Sequence, residues 1–239
     1  MFPLKDTQPS RSTPIITYTI IAINVLVFYF ETSLSPHQLD RVIKLFGLVP
    51  AHYTEMGRWH AGLFVALVPW ISHMFLHGGW MHLIGNMWTL WIFGDNVEDR
   101  MGKLNFLIFY LVCGLAAALT QFWIHPNATV PMVGASGAIS GIMGAYFLMF
   151  PRSWILMFVP IFFFPWFFAI PAQLYLLYWF LLQWISGSVT LIFHPTGGGV
   201  AWWAHIGGFA AGLVLCKFFI RHRFRWNYPR NYCWHCREV

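Results

Sequence analysis

The stretch PMVGASGAISGIMGAYFLMF, residues 131–150, repeats small side chains every four residues: Ser136, Ser140 and Gly144 on one line, Gly137, Gly141 and Ala145 on the next. On a helix these lines form a flat face that lets neighbouring backbones come very close. At its upstream end, Gly134-Ala135-Ser136-Gly137 sets a hydroxyl in a glycine-flanked first turn. There the unpaired backbone N–H groups and the positive end of the helix dipole favour developing negative charge. Taken alone, such a serine is a cap or a packing residue. In an enzyme, Ser136 is the expected nucleophile.

The composition places this stretch in lipid. Of 239 residues, 58% are hydrophobic and 9% charged, with a mean hydropathy of +0.60, whereas soluble domains carry roughly 25% charge. The expected fold is therefore all-α, a polytopic membrane protein with a bundle of six transmembrane helices. The bundle is expected over residues 14–220 as one domain, between a short polar tail at 1–13 and a basic tail at 221–239. The tail at 1–13 lacks the apolar core and cleavage site of a secretory signal. A formal charge of +6 beside apolar spans reads as membrane topology, so the lipid bilayer is the expected surroundings and no nucleic-acid partner is expected.

Spans are expected at about 14–30, 80–95, 104–124, the glycine-rich stretch itself, 169–185 and 200–220. The long connection between the first two mixes polar residues with the apolar run 63–71 and is expected partly in the interface. Pro160, Pro165 and Pro171 interrupt the aromatic run after Trp154, which is expected to open as an interfacial loop.

Six spans put both ends of the chain on one side. Lys5, Arg11, Arg100, Lys103, Arg152, Lys217 and every arginine of 221–239 fall on that side, and only Arg41, Lys44 and Arg58 fall opposite. The excess of positive charge puts both termini in the cytoplasm, and the expected location is a prokaryotic plasma (inner) membrane. Spans two, four and six then run inward from the outer face. His82 and Asn86 lie near the start of span two, Ser136 opens span four, and His205 follows the start of span six. Polar groups are costly in hydrocarbon unless they face protein or water, so four at one shallow depth point to a shared cavity.

In span six, His205, Gly208 and Gly212 share a stripe, and the two glycines invite close backbone approach. Its natural mate is the small face of span four. Docking the two brings the His205 imidazole beside the Ser136 hydroxyl, the base and nucleophile needed to make an alcohol reactive near neutral pH. No acidic third member is evident. Glu31 is the only carboxylate near an outer span end outside the first loop, and Asp95, Glu98 and Asp99 lie at the opposite end of span two. A Ser–His dyad is expected.

These features resemble the rhomboid family of intramembrane serine proteases. The resemblance rests on Gly134-Ala135-Ser136-Gly137 opening span four, on Ala204-His205 with Gly208 and Gly212, and on the pair His82 and Asn86. It extends to His77, to Glu98-Asp99-Arg100 and to the order of the spans, covering nearly the whole chain. It implies endopeptidase cleavage in or next to transmembrane segments of single-span membrane-protein substrates, with no cofactor and no metal. Ser136 then attacks the scissile carbonyl, His205 relays the proton, and the Ser136 backbone N–H with the His82 and Asn86 side chains forms the oxyanion site. The resemblance also implies a cap loop over 193–199 and a lateral gate formed by Trp166, Phe167, Phe168 and the fifth span.

Two positions depart from the family pattern. Trp70-Ile71 stands where the first loop often carries Trp-Arg, and Ser140 stands where some members place an aromatic against the histidine, so another neighbour must orient His205. Alternative readings are an inactive relative that binds transmembrane segments, and a small channel or transporter moving protons on histidines. Cys113 and Cys216 read as packing residues. Cys233, His235 and Cys236 offer half a zinc site or a redox pair, with a free tail as the plainer alternative.

Overall fold

The computed structural model describes residues 2–55, 57, 62–161, 164–193 and 199–220; the basic tail with Cys233, His235 and Cys236 and most of the expected cap loop lie outside the described residues. The helices are α1 (Ile15–Thr32), α2 (Pro36–Phe46), α3 (Ala51–Thr54), α4 (Leu63–Ser72), α5 (Trp80–Met101), α6 (Lys103–Ile124), α7 (Ser136–Met149), α8 (Ala172–Phe193) and α9 (Trp202–Phe219). Among the described residues, α1, α6, α8 and α9 are each long and apolar enough to cross a bilayer. The bent run Leu63–Phe75 with Trp80–Met101, broken at 79°, adds a fifth candidate. The protein is thus a multi-pass helical membrane bundle. Of the helices expected as spans, α7 is apolar but only 14 residues long.

Position explains that shortness. α7 packs against α9, α6 and α5, so its residues are small for close neighbours rather than bulky for lipid. Below the small face, Tyr146 is fully buried and meets Phe93 of α5 edge-on at 4.9 Å. α5 and α6 are joined through Gly102 alone, whose φ of +77° lies in the left-handed region that a side chain would strain. The Glu98 carboxylate accepts hydrogen bonds from the Ile16 N–H at 3.0 Å and from the Thr17 N–H and hydroxyl at 2.8 Å. It thereby satisfies the otherwise unpaired start of α1 and pins that helix to α5. The Arg100 guanidinium lies over the Phe150 ring at 5.2 Å. In the first connection, α2 begins with a Ser35/Gln38 capping box and buries none of its residues fully, while α4 exposes Leu63 and Phe64.

The all-α expectation has one exception, a three-stranded antiparallel sheet of β1 (Phe2–Asp6), β2 (Trp154–Ile161) and β3 (Phe164–Pro171), in the order β1-β2-β3. The prolines do not keep this segment from pairing. Pro160 and Pro165 oppose each other near the hairpin tip, beyond the residues that β1 pairs, and Pro171 ends β3. Residues 2–6, expected as a polar tail, are therefore held in place, with the Trp88 indole N–H donating to the Pro3 carbonyl at 2.6 Å.

β1 also carries a half-buried carboxylate to the end of the bundle. Asp6 accepts from the Tyr146 hydroxyl and, at 2.9 Å, from the Asn96 amide, with Asp95 nearby. Burial, first of all, pushes the Asp6 carboxyl up from 3.8 to about 7, and the Asp95 carboxylate adds to the rise against the Tyr146 bond. The folded chain therefore holds the Asp6 proton more tightly than the unfolded chain between these values. The resulting stabilisation is full below about pH 4 and is lost as pH climbs through about 7. Amide protection factors in β1 are expected to fall between pH 5 and pH 8, and Asp6→Asn is expected to flatten that dependence. Equal slopes in the two proteins would sink the assignment.

Candidate active site

Ser136 is the first residue of α7, and its hydroxyl is 2.8 Å from His205 Nε2 of α9. Two helices distant in sequence meet there because their glycines interlock. A methyl on Gly208 would lie 2.0 Å from the Gly137 carbonyl oxygen, and one on Gly212 would lie 2.0 Å from that of Gly141. The Ser136 and His205 side chains are each half-buried. With Ser136 Oγ–H as donor, Nε2 is the acceptor and Nδ1 carries the ring hydrogen.

That Nδ1–H meets Gln183 Oε1 of α8 at 2.8 Å. Gln183 is buried, and its amide N–H donates to the Trp179 carbonyl at 3.3 Å, which fixes which end of the amide faces the histidine. Trp179 and Trp202 flank the His205 ring, with centroids at 6.0 and 6.2 Å. These contacts answer the Ser140 departure: the Ser140 hydroxyl turns back to the Ser136 carbonyl at 2.6 Å, and the aromatic neighbours come from α8 and α9. Sequence reasoning passed over Gln183 and Trp179. The available signal was a glutamine well inside a predominantly apolar span, where a polar side chain is costly without a partner.

Asn86 and His82, one turn apart on α5, close the site from the other side. Gly134, at φ +119°, lets the chain pass against them. A Cβ there would fall 2.6 Å from His82 Nε2 and 3.5 Å from Asn86 Nδ2. The Gly78 N–H donates to His82 Nδ1 at 3.4 Å, which leaves Nε2–H as the donor toward the Gly134–Ser136 turn. Asn86 Nδ2 donates to His77 Nε2 at 3.0 Å, and the His77 backbone N–H donates to the buried Glu31 carboxylate at 3.2 Å. Glu31 thus braces the wall that holds Asn86 and does not touch His205 through any of these bonds. The structure brings all four expected residues, Ser136, His205, His82 and Asn86, to one end of the bundle.

Of the expected gate, the fifth span reaches that end and the three aromatic residues do not. Trp166, Phe167 and Phe168 lie on β3, paired with β2 directly after α7. The Ala172 N–H donates to the Ser153 carbonyl at 2.9 Å, which ties the start of α8 to the far end of α7 from Ser136. The part of α8 beside the site is its second half, from Trp179 to Gly187, where Gly187 approaches Trp202 and Trp203.

A family model for the Rhomboid domain matches residues 65–222, well over half of the chain and inclusive of every residue just described as a candidate. This chain belongs to the rhomboid family. Among similar proteins, Rhomboid protein 1, mitochondrial, of Saccharomyces cerevisiae is 29% identical over 153 residues, covering 60% of this chain and 39% of the relative. Rhomboid protease GluP of Bacillus subtilis is 32% identical over 132 residues, covering 55% and 24%. Rhomboid-like protease 5 of Toxoplasma gondii is 34% identical over 165 residues, covering 64% and 16%. The match thus spans well under half of the length of each of these rhomboid relatives.

Proposed function

We propose that the chain is an intramembrane serine endopeptidase acting on transmembrane segments of single-span membrane proteins. The observation that carries this reading is the 2.8 Å approach of His205 Nε2 to Ser136 Oγ at the start of α7. His205 takes the hydroxyl proton as Ser136 attacks the scissile carbonyl, then returns it to the leaving amine; water reverses the sequence on the acyl-enzyme. The oxyanion is received by the Ser136 backbone N–H, His82 Nε2–H and the second N–H of Asn86 Nδ2, the first N–H being engaged by His77. Membership of the family and the name of the Bacillus subtilis relative, a protease, support the reaction class.

The length of α7 supports the location of the chemistry. Fourteen residues rise about 21 Å, short of the ~30 Å hydrocarbon thickness. A helix centred in the bilayer therefore begins beneath the surface, and Ser136 meets a substrate helix at that depth. We place both termini in the cytoplasm on the distribution of basic residues. The catalytic unit is taken as residues 14–220. Relatives occur in bacteria and in eukaryotes, so their names do not select a host membrane.

The test is incubation in liposomes with a panel of single-span proteins, followed by mass spectrometry of the products. New termini within or next to the spans are expected. In the same assay, Asn86→Ala is expected to lower kcat by about 10²- to 10³-fold with little change in KM, because its donor matters when charge develops on the oxygen. No cleavage of any substrate and no fluorophosphonate-reactive serine would favour the inactive, segment-binding relative. An unchanged kcat in Asn86→Ala would remove its oxyanion role alone.

A further inference from the structure

We propose that Gln183 is a positioning residue for His205, so that the dyad is held in a Ser–His–Gln arrangement whose third member is a neutral amide on α8; this rests on the protease reading above. Three observations converge on it. Gln183 Oε1 stands 2.8 Å from His205 Nδ1, on the ring nitrogen opposite the one that faces Ser136. The amide is buried, and its own N–H is bound to the Trp179 carbonyl, so its oxygen rather than its nitrogen is presented to the ring. Trp179, one turn back on the same face of α8, lies beside the imidazole.

The chemistry follows from the tautomer. Only when Nδ1 holds the hydrogen does Nε2 offer a lone pair to the Ser136 hydroxyl, and an acceptor fixed at Nδ1 selects that form. A carboxylate does the same in a serine triad but is expensive to bury without a counter-charge; an amide oxygen selects the tautomer at lower desolvation cost. It also gives less stabilisation to the imidazolium that forms during attack. The Ser136–His205 pair therefore gains orientation from Gln183 without gaining a charge partner.

Two substitutions separate positioning from packing. Gln183→Leu keeps bulk and removes the acceptor. Its kcat is expected to fall about 10- to 100-fold with KM nearly unchanged. In ¹⁵N-histidine spectra of the protein in micelles, His205 is expected to lose the Nδ1–H tautomer that dominates the native chain. Gln183→Glu keeps the acceptor and adds charge. It is expected to retain turnover and to move the acid limb of the kcat/KM profile upward by a pH unit or more, a response that a merely structural glutamine does not give. A native tautomer or native kcat in Gln183→Leu overturns the proposal, as does an unmoved acid limb in Gln183→Glu. The spectra need no substrate: a native chain that cleaves nothing refutes the protease reading, while the His205 signals still decide whether Gln183 sets the tautomer.

Discussion

Replacement of Ser136 by alanine is expected to lower peptide-bond hydrolysis by about 10⁴-fold or more and to abolish labelling by a fluorophosphonate, with the fold unchanged. The change deletes one oxygen from a partly exposed side chain at the start of a helix, and alanine is at least as good a helix former. Among the described residues, no nearby hydroxyl is aimed to replace it. Ser140, one turn on, spends its hydroxyl on the Ser136 carbonyl at 2.6 Å and does not face His205. His205→Ala is expected to cost nearly as much, because an unactivated serine is a poor nucleophile near neutral pH. The two losses are not expected to add, since each removes the same proton transfer. Equal labelling of the native chain and Ser136→Ala, or turnover surviving in Ser136→Ala, would remove Ser136 as the nucleophile and with it the mechanism.

The helical part of the fold is readable from the sequence because lipid imposes a simple requirement. A helix that satisfies its own backbone and carries apolar side chains leaves a long hydrophobic run, and α1, α6, α8 and α9 do so. The site is readable because polar side chains in such runs need partners. His82, Asn86, Ser136 and His205 were costly enough to stand out, and small residues showed which faces could touch. The sheet is less readable. The run Trp154–Pro171 is as apolar as a span, and its prolines are compatible with either a loop or an irregular hairpin. What decides is β1, whose residues Phe2–Asp6 arrive from the far end of the sequence and pair with β2. Gln183 was legible in principle by the same cost argument as the histidines. It was hidden by the search for an acid, a requirement carried over from water-soluble serine enzymes that a buried site relaxes.

A single methyl group at Gly208 is expected to damage both the site and the fold. Its Cβ would fall 2.0 Å from the Gly137 carbonyl oxygen, more than an ångström inside contact distance and against backbone that has no rotamer to escape into. α9 must therefore move off α7, and His205, one turn from Gly208, moves with it. A gap that now measures 2.8 Å between Nε2 and Oγ widens by a comparable amount, and a displacement of about 1 Å costs roughly 10²-fold in rate. Gly208→Ala is thus expected to lower kcat by about 10²-fold and also to lower the midpoint of thermal unfolding. Gly212→Ala makes an equally short contact, 2.0 Å from the Gly141 carbonyl oxygen, but two turns from His205. It is expected to cost similar stability and less kcat, because α9 can tilt about the contacts nearer the site. Gly85 on α5 supplies the control. A Cβ there meets nothing within 4 Å, so Gly85→Ala is expected to leave both measurements near native values. Native kcat in Gly208→Ala would mean that the dyad is not held by the α7–α9 contact, and equal kcat losses at 208 and 212 would mean that the helices separate as a rigid pair rather than hinge at the site.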